Sequence, residues 1–245
     1  MKTESKTRIA QLREDATAQF NLQPGTLSSI LNPRSSILVK RLGLADYEPT
    51  WRAMQDFTAG RDASTHDELW LLQHPPVYTL GIAGKPEHLP RIDNGIPVIK
   101  IDRGGQITYH GPGQLVVYLL LDMRRRALSV RTLVRIMEQA VIGLLADFGV
   151  TAAGRVEAPG VYVGGAKLAA LGLRIKHGCC YHGLALNVDM DLSPFDAINP
   201  CGYPGLEVTQ TCDLGITDPL DALSGKLIEH LLLRLNDYGI TDEHR

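Results

Sequence analysis

The chain has 245 residues, with 25 lysines and arginines against 27 aspartates and glutamates, and 44% of its residues are hydrophobic. That much apolar surface excludes global disorder, and the scattered 24 glycines and 14 prolines exclude a fibrous repeat. A net charge of −2 lacks the basic footprint of a general nucleic-acid binder.

Residues 1–35 are polar, mixed in charge and poor in large apolar side chains, so they read as a tail before a domain spanning 36–245. Met1–Gln23 has no apolar stretch like that of a signal peptide. Ile37–Leu42 reads as a strand, and Ala45–Phe57 as a helix with Tyr47, Trp51 and Met54 at helical spacing. Glu68–Gln73, Pro76–Gly81, Pro97–Asp102 and Gln114–Asp122 read as strands. The run Leu115–Leu121 is apolar throughout, which predicts burial on both faces. It is far shorter than the roughly 20 residues of a membrane span.

Val130–Phe148 is the clearest helix, with Ser129 as N-cap and Gly149 as stop. Gly160–Val163, Leu168–Ile175 and Tyr181–Val188 read as strands. A last helix, Leu220–Leu235, follows Pro219. Strands in runs, without strict βαβ alternation, predict a single α+β domain. Its sheet is mixed and largely antiparallel, with helices on one side.

Three segments stand out chemically. Arg103–Gln114 holds four glycines among polar side chains, which suits either a plain hairpin or a ligand-contacting loop. It is neither a phosphate-binding P-loop nor a dinucleotide fingerprint. Lys167 follows a Gly-Gly turn inside an apolar strand, so it is either a solvated edge lysine or one held in a pocket. Cys201 sits in the loop Asn199-Pro200-Cys201-Gly202-Tyr203-Pro204, and is either an inert small residue or a nucleophile. Cys179 and Cys180 suit packing, and all four cysteines suit free thiols in a reducing cytoplasm. No His/Cys spacing suits a zinc site.

The run from Arg103 to Tyr118 (Arg-Gly-Gly-x-x-Thr-Tyr-His-x-x-Gly-Gln-x-x-x-Tyr) resembles the signature of the octanoyltransferases of lipoate biosynthesis. Gly160-Val161-Tyr162-Val163 with Lys167, Leu171–Ile175, His182–Val188 and the Cys201 loop resemble the same family in the same order, over roughly residues 37–235. The resemblance implies the fold of the biotin and lipoate protein ligase catalytic domain. It also implies a Cys201–Lys167 dyad and an acyl-thioester on Cys201, with Lys167 tuning the thiol and acting as acid and base. Substrate would be lined by Arg103, Gly104, Gly105, Gln106, Ile107, Thr108, Tyr109 and His110, by Ala170, Leu171 and Gly172, and by Gly183, Leu184 and Ala185. The donor it implies is octanoyl-acyl carrier protein. The acceptors are lipoyl domains of 2-oxoacid dehydrogenases and of the glycine cleavage protein. No cofactor, nucleic acid or membrane is implied.

The chemistry is self-consistent. Passing an acyl group from thioester to thioester is nearly even, and on to an amide is downhill, so no ATP is required. A thiolate is a good nucleophile for the first step, and a nearby ammonium favours it. Backbone N–H groups at Gly164-Gly165 or Gly202 are a source of oxyanion donors. An acyl slot gains about 0.8 kcal/mol per buried methylene, so only a closed end rejects longer chains; Val163, Ala169, Ala170 and Leu171 are wall candidates. Arg124-Arg125-Arg126, with Arg131 and Arg135, is the densest basic cluster, either a docking patch for acidic carriers or a solvated turn. His110 falls in the signature and suits a site role, whereas His182 suits a site or a structural role. Three rivals remain: an ATP-dependent lipoate or biotin ligase, a non-catalytic carrier-binding protein of the same fold, and a cysteine hydrolase.

Overall fold

The structure is a computed structural model that describes residues 37–198 and 205–238. The tail over 1–35 lies outside these residues. Seven strands form the main sheet: β1 (Ile37–Leu44), β2 (Asp67–Gln73), β6 (Gln114–Asp122), β7 (Ala153–Gly154), β8 (Gly160–Val163), β9 (Ala166–Lys176) and β10 (Cys179–Asn187), in the order β1-β2-β6-β10-β9-β8-β7. Only β1 and β2 pair in parallel; the other neighbours are antiparallel. A second sheet has the order β4-β3-β5, from β3 (Val77–Leu80), β4 (Val98–Lys100) and β5 (Ile107–His110). The architecture is α+β with a mixed, largely antiparallel sheet.

The helices do not lie on one side. Along β6, Leu115, Val117, Leu119 and Leu121 face α2 (Val130–Ala146) and α3 (Leu220–Asp237). Val116, Tyr118 and Leu120 face Met54 and Trp51 of α1 (Tyr47–Ala59). Strand alternation explains both the continuous apolar run and the two helical layers. Each fully buried leucine here contributes roughly 1.5–3 kcal/mol. Ser129 Oγ accepts the Thr132 N–H at 3.1 Å, and Gly149 follows the last turn of α2 with φ +73°.

Two strands were hidden in the sequence. β5 lies inside the glycine-rich signature, where flanking glycines mask a short alternation: Ile107 and Tyr109 enter a core with Tyr78 and Phe195. β7 is only two residues long.

Two arginines of the basic cluster, Arg125 and Arg126, turn inward, while Arg124, Arg131 and Arg135 are exposed. Asp67, fully buried, accepts hydrogen bonds from Arg61, Arg125 (2.7 Å), Arg126 and the Asp122 N–H (2.8 Å). Arg125 and Arg126 therefore serve a buried carboxylate that ties β2 to the turn after β6, and only Arg124 of the triplet is exposed. Desolvation pulls the Asp67 pKa up, but its N–H and guanidinium partners outweigh it and hold it low. Removing one member of such a cluster leaves buried charge uncompensated. Asp67→Ala is expected to lower the unfolding free energy by about 3–5 kcal/mol in urea titrations, while Arg124→Glu stays within about 0.5 kcal/mol of the parent.

Candidate active site

On the α1 face of the main sheet lies a cleft of about 510 Å³, counting its part open to solvent. Arg103, Gly105, Gln106, Ile107, Thr108 and His110 line it. So do Ala170, Leu171 and Gly172 of β9, and Gly183, Leu184 and Ala185 of β10. Tyr47, Val116, Tyr118 and His182 complete it. Gly104 and Tyr109 do not line the cleft. The Gly104 N–H is spent on Leu173 O at 2.9 Å, and the Tyr109 ring packs edge-on against Phe195 at 5.5 Å. Ala169 and Val163, proposed as walls on composition, belong to the α2 side of the sheet.

Arg103 is buried, and its guanidinium donates to Thr79 O at 2.6 Å, Thr79 Oγ1 at 2.9 Å and Gly104 O at 3.0 Å. It thereby fixes the turn between β4 and β5 against β3. His110 is buried, and burial brings its pKa down to about 3, with His74 adding to the effect. It is therefore neutral. Its Nδ1 lies 2.7 Å from Gln114 Oε1, so Nδ1 carries the proton. Gln114 Nε2 donates onward to Asn187 Oδ1 at 2.9 Å, and Asn187 Nδ2 donates to Thr209 O at 3.0 Å. Burial likewise lowers His74 to about 4; it donates from Nδ1 to Ala45 O and accepts from Tyr118 OH at 2.7 Å.

Asp102, just before the signature, gathers four donors. Trp51 Nε1 (2.8 Å) and Gln55 Nε2 (3.2 Å) come from α1; Tyr181 OH and His182 Nε2 (3.0 Å) come from β10. Desolvation opposes ionisation, but these hydrogen bonds, His182 first, hold the carboxyl well below the usual carboxylate range. His182 has φ +63°. In regular alternation it would point with Cys180 and Leu184; the left-handed backbone instead sets it beside Tyr181, the rings 5.0 Å apart. No pattern in the sequence signals that departure, so the sequence leaves His182 between a site and a structural role and gives no reason to pick out its partner Asp102.

Lys167 is buried, not a solvated edge residue, and it does not line the cleft. Gly164 (φ +58°) and Gly165 (φ +98°) make the two-residue turn that starts its strand. That turn is exposed and does not line the cleft. Lys167 Nζ donates to Pro159 O at 3.2 Å and lies 5.5 Å from the Tyr162 ring centre. Its main chain is bonded on both sides to the segment after the cysteine loop: its N–H donates to Glu207 O at 2.8 Å, and its carbonyl accepts the Thr209 N–H at 3.0 Å. Cys201 and Gly202 lie outside the described residues. Cys180 is buried and burial pushes its thiol up to about 12; its Sγ donates to Leu119 O. Among the described residues, no group of three or more His, Cys, Asp or Glu side chains is placed to hold a metal ion, and no helix is long and apolar enough to cross a membrane.

Residues 46–230 match the lipoyl protein ligase A/B catalytic domain family. The chain is 64% identical over 214 residues to the octanoyltransferase of Nitrosospira multiformis, covering 87% of this chain and 99% of that one. It is 65% identical over 196 residues to the octanoyltransferase of Azoarcus sp., covering 80% and 86%. The chain belongs to the octanoyltransferase family. It is therefore an enzyme, an acyltransferase. The fold is also that of a bipartite lipoate protein ligase from Thermoplasma acidophilum (TM-score 0.63, 16% identity, 81% and 83% of the two chains). The biotin protein ligase of Aquifex aeolicus is similar too (TM-score 0.56, 11% identity, 83% and 72%).

Two tests follow from the cleft's hydrogen bonds. Gln114→Leu strands His110 and Asn187 without their buried partners and is expected to lower stability by about 1–3 kcal/mol in thermal or urea unfolding. Asp102 has a depressed folded pKa, so it adds stability above its unfolded value of about 4 and loses that contribution as pH falls further. The difference in urea midpoint between the parent and Asp102→Asn should thus be largest near neutrality and shrink steadily below about pH 4.

Proposed function

We propose that this enzyme transfers an octanoyl group from octanoyl-acyl carrier protein to a lysine of a lipoyl domain, without ATP, through a thioester on Cys201. The observation that carries this is the pairing of Lys167 with Glu207 and Thr209. It fastens the segment that follows Cys201 to the strand bearing the buried lysine. The same segment is held by Asn187, and so through Gln114 by His110 of the signature.

In the first step the Cys201 thiolate attacks the thioester carbonyl of the donor. The tetrahedral oxyanion collapses and the carrier thiolate leaves, taking a proton from the Lys167 ammonium. In the second step the acceptor lysine, as a neutral amine, attacks the Cys201 thioester. Its extra proton passes to Lys167 and the Cys201 thiolate is released, which restores the starting state. Atoms and charges balance with no nucleotide. The octanoyl tail occupies the cleft, against Val116, Ala170, Leu171, Leu184 and Ala185, with Arg103, Gly105, Gln106, Ile107, Thr108 and His110 also lining it. Cys179, Cys180 and Cys212 are free thiols, as suits a reducing cytoplasm.

Intact-protein mass spectrometry after incubation with octanoyl-acyl carrier protein, in the absence of ATP, tests this directly. The parent should gain one hydroxylamine-sensitive octanoyl group that an added lipoyl domain discharges, and Cys201→Ser should gain none. An equal adduct on Cys201→Ser would end the assignment. Strict dependence on ATP and free octanoate would mark a ligase instead. Release of free octanoate without an acceptor would mark a hydrolase.

A further inference from the structure

Glu138 does not line the cleft, yet one peptide unit joins it to Lys167. The N–H of Gly160 donates to Glu138 Oε1 at 3.1 Å. The carbonyl of the same peptide unit, on Pro159, accepts from Lys167 Nζ at 3.2 Å. A peptide unit is planar, so holding its N–H end also aims its carbonyl end. Residue 160 has to be glycine for the two sides to meet: a Cβ there would lie 2.6 Å from Lys167 Cε and 2.7 Å from Ala169 O. Glu138 is presented from a firm base, since its neighbours Met137 and Val141 on α2 are wholly buried. Its other carboxylate oxygen rests against Gly154 of β7, where a Cβ would come within 2.8 Å.

We propose that Glu138 is a positioning residue: it orients the Pro159–Gly160 peptide, whose carbonyl sets the place of the Lys167 amine. This rests on the role given above to Lys167 as the partner of Cys201. Among the described residues, charged and titratable groups near the pair include Arg135 on α2, Arg155, whose guanidinium lies 4.1 Å over the Tyr162 ring, and Tyr162 itself.

Removing Glu138 has two effects of opposite sign on a thiol served by Lys167. Loss of a nearby negative charge favours the thiolate and moves its formation to lower pH. A displaced Lys167 no longer supports the thiolate, which moves its formation to higher pH. Positioning requires the second to win.

The test is the pH dependence of Cys201 alkylation by iodoacetamide, read by peptide mass spectrometry so that Cys179, Cys180 and Cys212 are counted separately. Glu138→Ala should raise the midpoint by about one pH unit and lower kcat more than tenfold with little change in KM for the donor. Glu138→Gln keeps an oxygen for the Gly160 N–H, so its midpoint should stay at or slightly below the parent's and its kcat within about threefold. The Glu138→Ala, Lys167→Ala double variant should titrate no higher than Lys167→Ala alone. A Glu138→Ala midpoint that is unchanged or lower, with Lys167→Ala raised, would overturn the positioning role and leave the role of Lys167 standing. A Lys167→Ala midpoint equal to the parent's would overturn the role of Lys167, and with it this inference. Circular dichroism and melting of each variant confirm that folded protein is compared.

Discussion

The buried amide pair Gln114–Asn187 is the joint on which the site depends. Neither side chain can be left unsatisfied at that depth, because a stranded buried amide costs more than the bond it loses. Gln114 therefore has to meet His110 on one side and Asn187 on the other, and Asn187 has to meet Thr209. Three stretches far apart in the chain are drawn together by that requirement: the glycine-rich signature, the end of β10, and the segment beyond the cysteine loop. The main-chain pairing of Lys167 with Glu207 and Thr209 adds the fourth, β9. A chain of polar contacts of this kind is rigid only when every member is satisfied.

A second polar centre lies behind the cleft, reaching it through His182. Asp102 binds α1 through Trp51 and Gln55, and β10 through Tyr181 and His182. It closes α1 over the face of the sheet that carries the cleft, immediately before Arg103. Val116, Ala170, Leu171, Leu184 and Ala185 give the cleft apolar area, while Tyr47, Arg103, Gln106, Thr108 and Tyr118 bring polar groups to the same lining. A slot for an acyl chain uses both, since methylenes contribute through area and polar groups set the frame. The neutral histidines fit the same logic: burial holds His110, which lines the cleft, and His74 behind it uncharged, so neither brings imidazolium charge to the site.

How far the sequence could be read depended on whether the signal was local. The helix over α2 was legible because its apolar stripe, its serine cap and its terminal glycine agree. The strand Leu115–Leu121 was legible because burial on both faces leaves an unbroken apolar run. The strand within the signature was not, because its Ile-Thr-Tyr-His alternation is only four residues long and is flanked by glycines. The basic triplet misled for a different reason. Charge in sequence looks the same whether it faces water or a buried carboxylate, and Asp67 lies some sixty residues away in the chain.

By itself the sequence determined the family, the α+β class, the order of most elements and the residue types needed for acyl transfer. Those follow from local periodicity and from motifs in a set order. Tertiary structure alone decided that the helices cover both faces, that Arg125 and Arg126 turn inward, that His182 lines the cleft while bonded to Asp102, and that Lys167 is buried against the Pro159 carbonyl. Each of these depends on which distant backbone or side-chain group fills a buried hydrogen-bonding position. Pairings of that sort are settled only when the sheet closes and water leaves.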